Sequence, residues 1–355
     1  MAVDAPAGTA RAPSPTLLPW RRLRRGAGTV GSALVTLFLL VLLTFVIGRL
    51  LPVDPVLAVV GADADNATYM KVKAELGLDK PILEQFWIFL TQLAHGNFGK
   101  TLLTGRPVVE DIGRVLPATI ELATVTIVLG AGIGVPLGVF AAVNRGRLAD
   151  HVVRILSLMG HSTPIFWLGM VGLIIFYAKL DWVGGSGRVE LFYVDMVPNV
   201  TGLLLVDSLL AGDMDVFWSA FRHIVLPASV LAYSSIAYIS RMTRSFMLEQ
   251  LSQEYVVAAR AKGAPRSRVI WGHAFKNIRV QVVTIVALSY GGLLEGAVLT
   301  ETVFGWPGFG QYLTSALVIG DMNVVVACTL IIGCLFIGLN LLSDMLYRLL
   351  DPRTR

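Results

Sequence analysis

Four stretches of this chain run for about twenty residues or more without a formal charge: 26–48, 122–144, 155–178 and 322–343. The hydrocarbon core of a bilayer takes about 20 apolar residues of helix to cross. Two weaker stretches join them, 224–240, which is short, and 280–300, which Glu295 interrupts. Backbone polar groups in lipid must be satisfied within the segment itself, which favours helices. The expected fold class is therefore an all-α polytopic membrane protein with six transmembrane helices. A soluble protein with six buried helices would need amphipathic partners, and the sequence offers none. Only 15% of the residues are charged, against about 25% in a soluble domain.

The charges between these runs assign a side to each connection, because Lys and Arg are retained in cytoplasmic segments. Six crossings place residues 1–28, 144–154, 241–279 and the tail from 344 together, and these hold 19 of the 29 Lys and Arg. The opposite segments, 52–117, 178–222 and 302–321, hold nine. Acidic residues lean the other way, six against fifteen. Both termini are expected in the cytoplasm. The net charge of +5 follows from this topology, and no nucleic-acid partner is implied. The basic stretch WRRLRRG precedes an apolar run too long for a signal peptide, whose apolar region spans about 7–15 residues. An uncleaved first helix with a cytoplasmic basic anchor is expected.

Residues 69–95 carry helical periodicity broken at Asp79, Lys80 and Pro81. The aromatic second half of that stretch (Phe86, Trp87, Phe89) is expected to lie along the membrane surface. Gly130, Gly134 and Gly138 recur at four-residue spacing, where small residues let helices approach closely, and packing within the chain is expected ahead of a dimer contact. Pro136 and Pro164 are compatible with spans, since neighbouring helices re-satisfy the freed carbonyls. Residues 179–222 read as loop plus a short surface helix. No segment outside the membrane is long enough for a catalytic core.

Chemistry-bearing constellations are missing from the sequence. Residues 94–101 (AHGNFGKT) imitate a phosphate loop, but a helical stretch precedes them and no helix-forming run follows at once. An external turn at Gly96 and Gly99 is expected instead. His95, His151, His161, His223 and His273 are dispersed. Cys328 and Cys334 sit six apart in the last run, on different helix faces, and read as packing residues. Acids inside a membrane are the default functional candidates because uncompensated charge there is costly. Glu121 and Glu301 fall near helix ends, where water is expected to reach them. Glu295 is embedded and is a candidate to line a translocation path, or to pair with an Arg or Ser of a neighbouring helix.

One polar connection stands apart: residues 254–278, EYVVAARAKGAPRSRVIWGHAFKNI. Ala258, Ala259 and Ala261 favour a helix over 252–261. Gly263, Ala264 and Pro265 break it, with Gly suited to the turn and Pro to the first position of a new helix. A second short helix over 266–278 is expected to run into the next span. The result is a helical hairpin with a basic rim of Arg260, Lys262, Arg266 and Arg268. Anchoring to lipid headgroups would account for the rim, but not for the Ala-rich face or the breaker.

This hairpin resembles the cytoplasmic coupling loop of type-I permeases of ABC importers. Ala258, Ala259 and Gly263 match the family pattern of Glu-Ala-Ala, three residues, Gly. Val257 stands where the general family has Glu, and Phe275 and Lys276 where it usually has Leu and Pro. The stretch 255–263 is similar to the YVxxARAKG of the dipeptide, oligopeptide and nickel importer branch. Residues 49–55 (RLLPVDP), 76–81 (LGLDKP), 96–99 (GNFG), 116–122 (LPATIEL), 223–228 (HIVLPA), 301–310 (ETVFGWPGFG) and 351–353 (DPR) resemble the same branch.

The resemblance implies one of two homologous permeases in a bacterial inner membrane, carrying short peptides or else nickel, opines or other small solutes. Two cytoplasmic ATPases, which would bind ATP and Mg, and a periplasmic solute-binding protein would complete the importer. Tyr255, Ala258, Ala259, Arg260, Lys262, Gly263 and Ala264 would contact an ATPase, with no catalytic, cofactor or metal site in this chain. The implied division is a cytoplasmic extension 1–28, a first span 29–51, a periplasmic segment 52–117, a permease domain 118–348 with coupling loop 246–278, and a tail 349–355. A rival of another class, a proton-coupled carrier or membrane-embedded enzyme, would need a buried acid and histidine relay. Only Glu295 and His161 could begin one.

Overall fold

The computed structural model describes residues 19–50, 55–61, 64–75, 77–102 and 104–350. Residues 1–18, residues 51–54 and Leu76 of two family-like motifs, and the tail motif 351–353 lie outside the described residues, as do the side chains of Glu295 and His161. Among the described residues every regular element is helical, apart from a bridge between Lys100 and Pro107.

Five helical segments are long and apolar enough to cross a bilayer. Helix α1 (Pro19–Leu50) leads, and its apolar part spans Gly31–Gly48. Three short helices follow: α2 (Pro55–Val60), α3 (Asn66–Glu75) and α4 (Ile82–Ala94). The second crossing is α5 (Val108–Val143). Next come α6 (Leu148–Ser162) and α7 (Ile165–Gly172), with α7 continuing as a π-helix over Leu173–Lys179. After the short α8 (Leu204–Ala211), α9 (Met214–Leu251) crosses in one piece. Helix α10 (Glu254–Ala261) precedes a π-helical stretch, Arg268–Phe275, that continues into α11 (Lys276–Gly296). Then α12 (Val298–Phe304), α13 (Phe309–Ile319) and the last crossing, α14 (Met322–Leu350), complete the chain.

The straight third span expected over 155–178 is broken. Leu148–Gly160 and Ile165–Lys179 meet at 96°, so the total is six crossings only if this bent pair is one span. Proline drives its predecessor out of the helical region, and Thr163 sits at φ −85°, ψ 128°. Neighbouring helices do not carry the α-helix through Pro164. The break at 79–81 is present, with α4 entering at Pro81. Its aromatic half is docked rather than laid on lipid alone: Phe86 lies 6.2 and 5.0 Å from Phe38 and Phe45 of α1, and Phe89 lies 5.6 Å from Phe45. Leu83 and Trp87 remain exposed.

The centre of the molecule is the α5–α9 contact. The two helices run in the same direction, and the glycine stripe of α5 is what brings them together. A Cβ on Gly130 would lie 2.9 Å from Ser235 Cβ, one on Gly134 3.1 Å from Ile239 Cβ, and one on Gly138 2.6 Å from the Ser240 carbonyl. The stripe is thus an intrachain contact, as expected. Ala118, Leu122, Ile127, Ile224, Leu231 and Ile239 bury around it, joined by Ile285 and Leu293 of α11.

Gly138→Val should therefore pry α5 from α9 and cost about 1–3 kcal/mol, the usual price of overpacking. A lower unfolding temperature in detergent would report it. Gly132→Val on the same helix, where nothing lies within 4 Å of the added Cβ, should leave that temperature unchanged.

Candidate functional site

The polar connection 254–278 is the hairpin the sequence predicts. Helix α9 has 38 residues, so it is about 57 Å long and far exceeds the lipid core. Its projecting end carries α10. The amide of Ala264 donates to the Ala259 carbonyl at 3.1 Å, and that of Gly263 to Arg260 at 2.9 Å. This two-bond closure needs a left-handed residue just past the helix end, and Gly263 supplies it at φ +75°. Pro265 then opens the second arm by accepting the amide of Val269.

That second arm is rooted deep. Ala274 and Ile278 are fully buried with Val139 and Ala142 of α5 and Met247 of α9. Helix α10 is pinned by Val256, 0% exposed, and the Tyr255 hydroxyl donates to Gln250 Oε1 at 2.9 Å. Most of the rest of α10 is exposed. Ala258, Arg260, Lys262 and Gly263 are exposed, Ala259 and Ala264 half-buried, and Val257 is 60% exposed. Among the described residues no acidic side chain forms an ion pair with Arg260, Lys262, Arg266 or Arg268. Nothing lies within 4 Å of a Cβ added at Gly263. The hairpin is thus a rigidly rooted, cationic, small-residue face with no internal partner. Glu295 lies near the far end of α11.

The opposite end of the bundle is built in the reverse way. Glu301 is fully buried, and Glu121 is nearly so. Water therefore does not bathe them as the sequence suggested. Glu301 Oε1 accepts from Thr119 Oγ1 at 2.5 Å, and Oε2 from the Gln311 amide at 3.0 Å. Thr119 in turn accepts from the amide of Phe309 at 2.8 Å, and Trp306 Nε1 donates to the Ala118 carbonyl at 2.9 Å. Burial pushes the Glu301 carboxyl above its ordinary range, against the Thr119 hydroxyl and the amides of Gln311 and Gly310. Gly308 and Gly310 exist to make this cradle: a Cβ on Gly308 would run into the Glu301 carboxylate, and one on Gly310 would lie 2.7 Å from Val298 Cα.

Glu121 holds a second hub. Its Oε2 accepts from Arg188 at 2.5 Å and its Oε1 from the Leu205 amide at 2.7 Å. Arg188 also donates to the Gly202 carbonyl and lies 5.7 Å from the Trp306 ring centre. The loop that delivers it, 182–189, threads against α9 and α12: the Gly184 amide donates to Arg222 and the Gly187 amide to Phe304. Sequence reading missed Arg188. The only signal was a cluster of glycines ahead of a lone cation, VGGSGR, which marks close backbone approach.

The imitation phosphate loop is a turn, as expected. Gly96 and Gly99 have positive φ, α4 precedes them, and the Asn323 amide donates to the Lys100 carbonyl at 3.1 Å. Cys328 is buried and Cys334 exposed on α14. Among the described residues no cluster of three His, Cys, Asp or Glu could hold a metal.

Residues 134–355 match the family of binding-protein-dependent transport system inner membrane components, and residues 23–123 match the N-terminal family of such membrane components. The chain belongs to this family. The probable D,D-dipeptide transport system permease protein DdpB of Escherichia coli K12 is 40% identical over 311 residues, 88% of this chain and 91% of that protein. The di/tripeptide transport system permease protein DppB of Pseudomonas aeruginosa UCBPP-PA14 is 42% identical over 330 residues, 93% of this chain and 98% of that one. A solved chain of the MetNI methionine ABC transporter, in inward-facing form, is 17% identical with a TM-score of 0.47, over 66% of this chain and 93% of that chain.

The chain is thus a multi-pass inner-membrane permease and not an enzyme. Its buried carboxylates tie the α12–α13 turn and the 182–189 loop to α5. Removing one partner of a buried ion pair leaves an uncompensated charge and costs about 3–5 kcal/mol. Arg188→Met should lower the unfolding temperature of the permease accordingly. The pair Arg188→Met with Glu121→Gln should be less damaging than Arg188→Met alone. Equal losses in the single and double variants would show that charge compensation is not what the contact provides.

Proposed function

We propose that this permease and a second, homologous one form the translocation path of an ATP-driven importer of short peptides. The rooted but unpartnered hairpin carries the reading, since a surface so firmly positioned and so bare internally suits a partner. The partners are two cytoplasmic ATPase subunits that bind ATP and Mg, and a periplasmic solute-binding protein that delivers substrate. Tyr255, Ala258, Ala259, Arg260, Lys262, Gly263 and Ala264 seat in an ATPase groove. The small side chains allow close approach, and the cations find their acids there. Both termini lie in the cytoplasm with the hairpin, in keeping with the Lys and Arg distribution. The di- and tripeptide names of the relatives at about 40% identity support the substrate class.

ATP does its work through differential binding. A ligand shifts a conformational equilibrium only by the difference in its affinity for the two states. Closure of the ATPases on nucleotide must therefore favour one hairpin separation over the other. Within this scheme we assign the embedded Glu295 to the wall of the path.

Gly263→Asp is the direct test of docking. The site is empty around Gly263, so the isolated chain loses only the left-handed preference, about 1–2 kcal/mol for an ordinary residue and less for Asp. Membrane insertion should persist while dipeptide uptake by proteoliposomes of the complete importer falls at least about tenfold, a coupling loss of about 1.4 kcal/mol. Wild-type uptake should continue with ATP and a protonophore present. Collapse under protonophore would point to the proton-coupled rival, and full uptake by Gly263→Asp would remove the hairpin from coupling. Glu295→Gln should change the rate or selectivity of uptake across a dipeptide panel. Identical profiles would take Glu295 off the path.

A further inference from the structure

Two turns before the end of α9, one buried ion pair ties the base of the hairpin to a different crossing. Asp150, in the first turn of α6, is 1% exposed. Arg244 of α9 grips both of its oxygens, Nε to Oδ1 at 2.6 Å and an Nη to Oδ2 at 2.8 Å. The amide of Gly146 donates to the same Oδ2 at 3.0 Å, so the connection between α5 and α6 is fixed as well. A two-bond guanidinium–carboxylate fork sets orientation as well as distance. The same turn of α9 is clamped from its other side by α5, where a Cβ on Gly138 would lie 2.7 Å from Thr243 Cβ and 3.1 Å from the Arg244 amide nitrogen. Ser157 and Ser240 hydroxyls, 3.1 Å apart, repeat the α6–α9 tie one layer further in.

The crossing gripped in this way is the bent one. From Asp150, α6 runs to the kink at Thr163 and Pro164, and α7 carries on to the far end. There Gly169 lies against Phe304 and Val303 of α12, and Gly172 against Leu226 of α9. Phe304 is also the carbonyl that receives the Gly187 amide beside the Arg188–Glu121 pair. A continuous set of contacts thus joins the hairpin base to the buried carboxylate end through α6 and α7, which pack along α9 on the way.

We propose that Asp150 and Arg244 are a positioning pair for transport: they make the bent α6–α7 crossing move with the hairpin, so that displacement of α10 reaches α12. This rests on the reading of the hairpin as the ATPase contact. Without the fork, Ser157 and Ser240 and the packing of Gly160 on Tyr233 and Ala237 still join α6 to α9 further in, but the start of α6 loses its two-bond hold on α9 at the hairpin base.

The test uses the complete importer in proteoliposomes, with Met170→Cys on the exposed face of α7 as reporter and Cys334→Ala to remove the exposed native thiol. In the wild-type background, maleimide labelling at position 170 should differ between nucleotide-free and nucleotide-trapped states. Asp150→Asn should abolish that difference and lower dipeptide uptake about tenfold, within the range of coupling changes from such networks, while both ATPase subunits still co-purify. Arg244→Lys, which keeps the charge and loses the fork, should do the same. An unchanged labelling difference and uptake in either variant overturns the proposal. Failure of both variants to reach the membrane folded also overturns it, in favour of a purely structural pair. The docking reading fails separately, if Gly263→Asp retains uptake.

Discussion

The contact between α5 and α9 is the constraint on which the rest of this permease depends. Lipid tails are as apolar as leucine, so helices in a bilayer gain little from burying apolar surface against each other. Close packing must supply the attraction instead, and three glycines on one face of α5 provide it by letting backbones meet. Both helices exceed the lipid core in length, and they run in the same direction. Each end of the pair therefore projects as a platform, and the two platforms are finished differently.

At one platform, charge is buried and fully engaged. Glu121 and Glu301 stand on either side of the α5–α12 junction, and each accepts two hydrogen bonds from separate elements. A carboxylate buried without partners would be prohibitive, whereas one with several fixed donors orders everything that donates to it. The loop 182–189, α8 and the α12–α13 turn acquire a single arrangement in this way. At the other platform, Asp150 and Arg244 are paired below the surface, but the hairpin's own charges are left open. The hairpin keeps its apolar root, Val256, Ala274 and Ile278, and presents cations outward. One end is closed by its own side chains, and at the other no described acidic side chain pairs with Arg260, Lys262, Arg266 or Arg268.

This division explains what the sequence could and could not tell. The hairpin was legible because its determinants are local: alanines for a helix, Gly263 for a left-handed closure, Pro265 for a restart. The long apolar runs were legible for the same reason, and so was the glycine stripe. Glu301 was misread because its burial is created by Gly308 and Gly310, which fold back on it through a turn that periodicity does not describe. Arg188 and Glu121 lie 67 residues apart in sequence, and no spacing rule joins them. Pro164 was visible and its effect was underestimated. Tolerance of proline in a membrane depends on neighbours re-satisfying the freed carbonyls, and that is a tertiary property.

The bend at Pro164 has a mechanical meaning in light of the two platforms. A straight crossing clamped at Asp150 could transmit rotation about its own axis but would pass little sideways motion to its far end. A crossing bent by 96° converts rotation of one limb into a sweep of the other. The second limb is π-helical over Leu173–Lys179, a rare geometry that is frequent at functional sites. The hairpin's own second arm is π-helical as well, over Arg268–Phe275, where it joins α11. Both π-helical stretches thus fall in segments that adjoin the α5–α9 pair, while α5 and α9 themselves stay α-helical along their length, with Pro117, Pro136 and Pro227 inside them.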